Sequence, residues 1–157
     1  MDDEAKLFIQ RAENELIVAE ILFNISINED LQKNQFNLSK EFTFYSSVIT
    51  HTYYSIFYSA KAILLKNNIR TTSPNIHKTT LDAFEKNLVQ TGKLDVELLK
   101  IYRSMIVRAE QLLDIFSKEK TKRGEFTYQK LPQANKEPAN KSLENAKYFF
   151  KHIYSIL

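Results

Sequence analysis

The stretch Lys122-Arg123-Gly124-Glu125-Phe126-Thr127-Tyr128 has a make-up that helix-face patterning does not account for. A guanidinium can grip a phosphate with two parallel hydrogen bonds. A phenol can donate a hydrogen bond, or accept a transferred group. Gly124 is one of only two glycines, and it permits a backbone bend that would turn Arg123 and Tyr128 towards one point. The chemistry on offer is phosphate recognition, with the phenol positioning the ligand. The plain alternative is a helix C-cap, with Phe126 tucked back onto the rest of the fold.

Charge is compatible with both readings and, taken alone, favours the plain one. Lys118, Lys120, Lys122, Arg123 and Lys130 face only Glu119 and Glu125 in the densest basic run. Such a run attracts a polyanion such as RNA. It also suits a solvated helix end, where cations complement the dipole. Residues 1–30 hold eight acids against Lys6 and Arg11, a balance of −6, so the rest of the chain carries +9 of the overall +3.

Other chemistries find few candidates. There is no cysteine, hence no thiolate nucleophile, thiolate metal site or disulfide. Two glycines cannot build a phosphate-cradling loop or a dinucleotide fingerprint. His51, His77 and His152 fall on separate segments, with neither the i, i+4 pairing of a helical zinc site nor a Glu-x-x-His pair. No metal and no cofactor is expected. His77 reads as capping or solvating a helix start. No serine elbow occurs, and no carboxylate pair stands out for acid–base work. The aromatic row Tyr53, Tyr54, Phe57 and Tyr58 is expected to serve the core rather than to stack bases.

These residues need elements to position them. The chain has 157 residues, 43% apolar and 26% charged, which suits one domain over 1–157 with a sizeable core. Few glycines and prolines argue against many short strands. Ala5, Phe8, Ala12, Leu16, Ala19 and Phe23 predict a helix over about residues 3–27. Residues 28–40 lose the period and read as a loop, or a short turn pinned by Phe36 and Leu38. Ser39 is placed to cap a second helix over about 40–67. That helix is apolar on more than one face, which fits a central position or a second subunit. Ser73-Pro74 reads as the start of a third helix, and Gly92 as its left-handed stop. Asp95 is placed to cap a fourth, running to about residue 121. Residues 122–138, with Gly124, Pro132 and Pro138, read as a loop before a last helix carrying Leu143, Ala146, Phe150, Ile153 and Leu157. The expected fold is all-α, an up-and-down antiparallel bundle of four to five helices. The acidic start and the lack of an apolar run of about 18 residues point to a cytoplasmic protein without a membrane partner.

Several stretches together resemble the HEPN domain family (higher eukaryotes and prokaryotes nucleotide-binding), especially its small stand-alone prokaryotic members. They are Tyr53-Tyr54-Ser55-Ile56-Phe57-Tyr58-Ser59-Ala60-Lys61-Ala62-Ile63-Leu64-Leu65, then His77-Lys78, then Phe84 with Leu88-Val89-Gln90-Thr91-Gly92-Lys93-Leu94-Asp95. Arg11-Ala12 with Leu16 and the ending Ser142-Leu143-Glu144-Asn145-Ala146-Lys147-Tyr148-Phe149 fit as well. The resemblance implies a dimeric bundle of four or five helices. Many such proteins are metal-independent endoribonucleases with an Arg-x4–6-His motif at the end of the fourth long helix. In others the site reads Arg-x-x-Ala-Asp-Tyr. Some are toxins paired with a minimal nucleotidyltransferase, which can adenylylate a tyrosine beside the motif.

This sequence departs from the nuclease pattern. The permitted histidine positions after Arg123 hold Tyr128, Gln129 and Lys130. Arg123 and Tyr128 match the tyrosine-ended type instead. A phenol near pKa 10 is a poorer acid–base group at neutral pH than an imidazole. The leading expectation is therefore a homodimer that binds RNA or a nucleotide. Arg123 would contact phosphate, and Lys118, Lys120 and Lys122 would add salt-sensitive attraction. Tyr128 would position the ligand or be modified by a nucleotidyltransferase partner. A metal-independent endoribonuclease with Arg123 and Tyr128 as its catalytic pair, and a structural homodimer without a ligand, are the alternatives.

Overall fold

Alanine recurs every seventh residue in the first helix, at Ala5, Ala12 and Ala19, and all three are fully buried. The computed structural model behind this description covers the backbone of residues 2–39, 42–121 and 131–157, with side chains at the same positions except 113–121 and 131–135. Helix α1 spans Asp3–Ile27, as its periodicity predicts. The Asp2 carboxylate caps it by accepting from the Glu4 N–H at 3.3 Å, and Asp3 and Glu4 put negative charge at its first turn. Its alanine stripe brings α2, Tyr45–Lys66, to close range. Ser55 Oγ donates across the seam to the Ala12 carbonyl at 2.8 Å. A bulky side chain on that face of α1 would hold the two backbones apart.

The connection between α1 and α2 differs from the predicted one in two ways. Residues Leu31–Gln35 form one wide turn of π-helix. Its anchor is Gln32, 1% exposed, whose side-chain amide donates to the carbonyls of Ile25 at 2.7 Å and Ser26 at 3.1 Å. Phe36, expected to pin the turn, is 54% exposed, and Leu38 is only half-buried. Nor does Ser39 cap α2, which starts at Tyr45. Ser26, at the end of α1, takes the cap's role: its hydroxyl accepts from the Phe44 N–H at 2.7 Å while donating to the Leu22 carbonyl. A cap supplied from another helix leaves no local signal in the sequence.

Helix α3, Ile76–Phe84, begins later than Ser73-Pro74 suggests. The Ser73–Pro74 bond is cis, and Asn75, with φ +60°, breaks the helical path before Ile76. The loop before α3 is held from inside. Lys61, 8% exposed, donates to the Thr71 carbonyl at 2.9 Å, and the buried hydroxyls of Thr71 and Thr80 meet at 2.8 Å. Helix α3 runs on into a second π turn, Glu85–Val89. Gly92 then takes φ +75°, in the left-handed region expected of it, and its N–H donates to the Val89 carbonyl at 3.0 Å. The Asp95 carboxylate accepts from the Glu97 N–H at 2.7 Å at the start of α4, Val96–Thr121. That cap and the end near residue 121 are as predicted.

The last helix, α5, spans Leu131–Ile156 and overturns the loop expected as far as residue 138. Pro132 lies in the first turn, where a missing N–H has no helical acceptor to lose. Pro138 lies inside the helix and costs it one backbone bond. The buried residues Ala139, Ser142, Leu143, Ala146, Phe149 and Ile153 that follow it hold this helix to the bundle.

Helices α1 and α2 run antiparallel, as do α4 and α5, where Arg108 reaches Ser142. Lys66, in the last turn of α2, donates to the carbonyls of Ile156 and Leu157, so the C-terminal ends of α2 and α5 lie together. The result is the expected up-and-down all-α bundle, with no strand among the described residues. Its centre is a ring junction: Phe84, Tyr102 and Phe149 are all 0% exposed, with centroids 5.6–6.0 Å apart. These rings come from α3, α4 and α5.

Candidate functional site

The predicted basic site lies at the edge of what can be described. Lys118 and Lys120 fall in the last turns of α4, and their side chains are outside the described residues. Lys122, Arg123 and Tyr128 are themselves outside the described residues, so the convergence of Arg123 with Tyr128 stays a proposal.

A different cluster stands out among the described residues. On α2 the core is served by a complete stripe, Val48, Ile49, Thr52, Ile56, Ala60 and Ile63, each no more than 3% exposed. The aromatic row lies beside that stripe rather than in it. Tyr53, Tyr54 and Tyr58 are half-buried, and Phe57 is 5% exposed. The expectation that this row serves the core holds for Phe57, which is buried, and in part for Tyr53 and Tyr58, which pack against the core while half-exposed. His77, the second residue of α3, lies over the row, exposed to solvent. Its ring centroid is 4.4 Å from that of Phe57 and 5.7 Å from that of Tyr53. Tyr54 and Tyr58 extend the aromatic surface towards α1, with near-parallel rings 6.0 Å apart. There the Arg11 guanidinium sits 5.7 Å from the Tyr58 centroid, in cation–π range.

Proton positions follow from burial. Desolvation, with smaller contributions from Tyr54 and Glu110, pushes the Tyr53 phenol up to about 12. Desolvation also lowers the His77 imidazole below its ordinary value. At neutral pH the phenol is thus protonated and the imidazole neutral. The Tyr53 hydroxyl and His77 Nδ1 share a hydrogen bond of 2.8 Å, whose direction follows the imidazole tautomer. The cluster offers flat π faces and a second imidazole nitrogen left free of this bond. His77 therefore neither caps its helix nor simply solvates it. A sequence signal was available: four rings at i, i+1, i+4 and i+5 exceed what one core stripe can absorb.

The other two histidines are engaged elsewhere. His51 Nδ1 lies 2.5 Å from a Glu15 carboxylate oxygen on α1, and His152 Nδ1 is 2.8 Å from the Tyr148 carbonyl. Among the described residues, no three potential metal-ligating side chains come together. An open cavity of about 470 Å³ between α4 and α5 is lined by Arg108, Glu137, Pro138, Asn140, Lys141 and Glu144. Burial lowers the Arg108 guanidinium below its usual range, and Ser142 Oγ accepts from it at 3.1 Å. Two cations and two carboxylates balance there, so the cavity has no net attraction for an anion. No helix among the described residues is long and apolar enough to cross a membrane.

Comparison with known proteins agrees with the bundle. The family described as HEPN domain matches residues 28–155. A Methanocaldococcus jannaschii protein named "Putative toxin MJ0142" is 32% identical over 97 residues, covering 62% of this chain and 52% of that protein. A Thermotoga maritima protein named "UPF0332 protein" is 37% identical over 59 residues, covering 38% of this chain and 42% of that one. The chain thus spans about half the length of these relatives. No solved structure matches it.

Proposed function

The chain belongs to the HEPN domain family, and on that footing we propose that it is a toxin-like member that binds RNA or a nucleotide as a homodimer. The observation that carries the reading is the family match itself, which runs through the basic stretch Lys118–Lys130. Resemblance to a relative named as a toxin supports the toxin-like role. Arg123 contacts phosphate, and Lys118, Lys120 and Lys122 add screened attraction. Tyr128 positions the ligand or takes a nucleotidyl group from a nucleotidyltransferase partner. The surplus of positive charge after residue 30 favours an anionic ligand.

Titration of RNA binding against salt tests this. Each phosphate contact contributes about 0.7 to the slope of log affinity against log salt for a single strand. Arg123→Ala is expected to weaken binding and flatten that slope by about one contact's worth. Unchanged affinity and slope would overturn the reading. A parallel incubation with RNA in EDTA separates binding from cleavage.

A further inference from the structure

Helix α2 carries more aromatic surface than its core stripe uses, and His77 is laid over the surplus. An aliphatic partner would leave the second imidazole nitrogen and the phenol edges unmatched, whereas a nucleobase has both a π face and polar ring edges that donate and accept. Charge is arranged on two sides. Arg11, over Tyr58, and Lys78, the exposed neighbour of His77, are cationic, while Glu110 acts on Tyr53 from α4. Residues 1–30 are acidic overall, so it is these individual cations rather than a broad positive field that would meet a phosphate.

We propose that Tyr53, Tyr54, Phe57 and His77 form a shelf that stacks an unpaired base of single-stranded RNA, with Arg11 and Lys78 meeting the adjoining phosphates. The inference rests on the RNA-binding reading above and adds to it a site for the bases, separate from the Arg123 stretch. The outer face of the imidazole is the platform, with Phe57 and Tyr53 beneath fixing its plane. Stacking on aromatic side chains tolerates any base, because every base has a π face. The shelf selects unpaired over paired RNA, since a base locked in a duplex cannot present its face.

Anisotropy of a labelled unstructured RNA, beside an abasic RNA of equal length, tests the shelf. The intact protein is expected to bind the base-bearing strand about tenfold more tightly. His77→Ala and Tyr54→Ala should abolish that preference with helical circular dichroism unchanged, and His77→Phe should retain it. Arg123→Ala should weaken both strands alike. The chain has no tryptophan, so its emission comes from tyrosine, and base-bearing RNA should quench it in the unmutated protein. Preference retained in the two alanine variants, or no quenching at saturation, overturns the shelf while leaving the Arg123 reading intact. No affinity of the unmutated protein for either strand overturns both.

Discussion

The Tyr53 hydroxyl and His77 Nδ1 are hydrogen-bonded across 2.8 Å, tying the middle of α2 to the first turn of α3. The bond holds the imidazole plane over the aromatic row. It also couples the pH response of α3 to burial on α2.

Stability should fall on acidification partly because of His77. Its folded pKa lies below the unfolded value of about 6.5, so the unfolded chain takes up the proton first. The stabilising contribution is present above about pH 6.5 and is lost as pH falls through the folded value. In His77→Asn that component is absent. Urea midpoints measured from neutral to mildly acidic pH should therefore drop less in the variant. Parallel curves would contradict the assignment.

The tyrosines should not titrate together. Tyr53 is held up to about 12, and burial raises Tyr102 well above its ordinary value too. An absorbance titration should show these two phenols ionising above the usual phenol value of about 10. The Tyr102 hydroxyl is buried with no partner among the described residues. Tyr102→Phe should thus raise stability by about 1 kcal/mol, because an unsatisfied buried donor is removed. A loss of stability would mean that the hydroxyl is paired.

Lys61 should matter for loop order rather than for ligand contact. Lys61→Met removes the donor to the Thr71 carbonyl, at a cost of about 1–3 kcal/mol for the stranded acceptor. Amide exchange over Ile76–Thr80 should accelerate more than exchange in α1. Uniform acceleration would point to global destabilisation instead.

Gly92→Ala isolates backbone strain. A Cβ at Gly92 meets nothing within 4 Å, so only φ +75° opposes it. The expected cost is about 1 kcal/mol, and Gly92→Asn should cost less. Thermal melts of the two variants check the order.

The sequence revealed what depends on neighbours along the chain. The alanine stripe of α1, the Gly92 stop and the Asp95 cap are local, and each stands where its residue type predicts. What escaped depends on distant partners. Ser26 caps a helix that starts nineteen residues later, and Gln32 anchors a turn through carbonyls of α1. Pro132 and Pro138 read as breakers because burial of α5 by the bundle cannot be seen from composition. The aromatic row was only partly legible, because periodicity cannot tell a half-exposed second stripe from a wider first one. For the Arg123 stretch, the residue types were legible in the sequence but their convergence was not.

The meeting of Phe84, Tyr102 and Phe149 has a consequence for biosynthesis. The α1–α2 hairpin can zip up from near neighbours as soon as it emerges, but the third ring of the junction arrives only with α5. Until then Phe84 and Tyr102 lack a wall, and the nascent chain presents oily surface to whatever is nearby. A ribosome that stalls before α5 would release a half-closed hairpin with adhesive flanks, a species for chaperones and proteases to intercept.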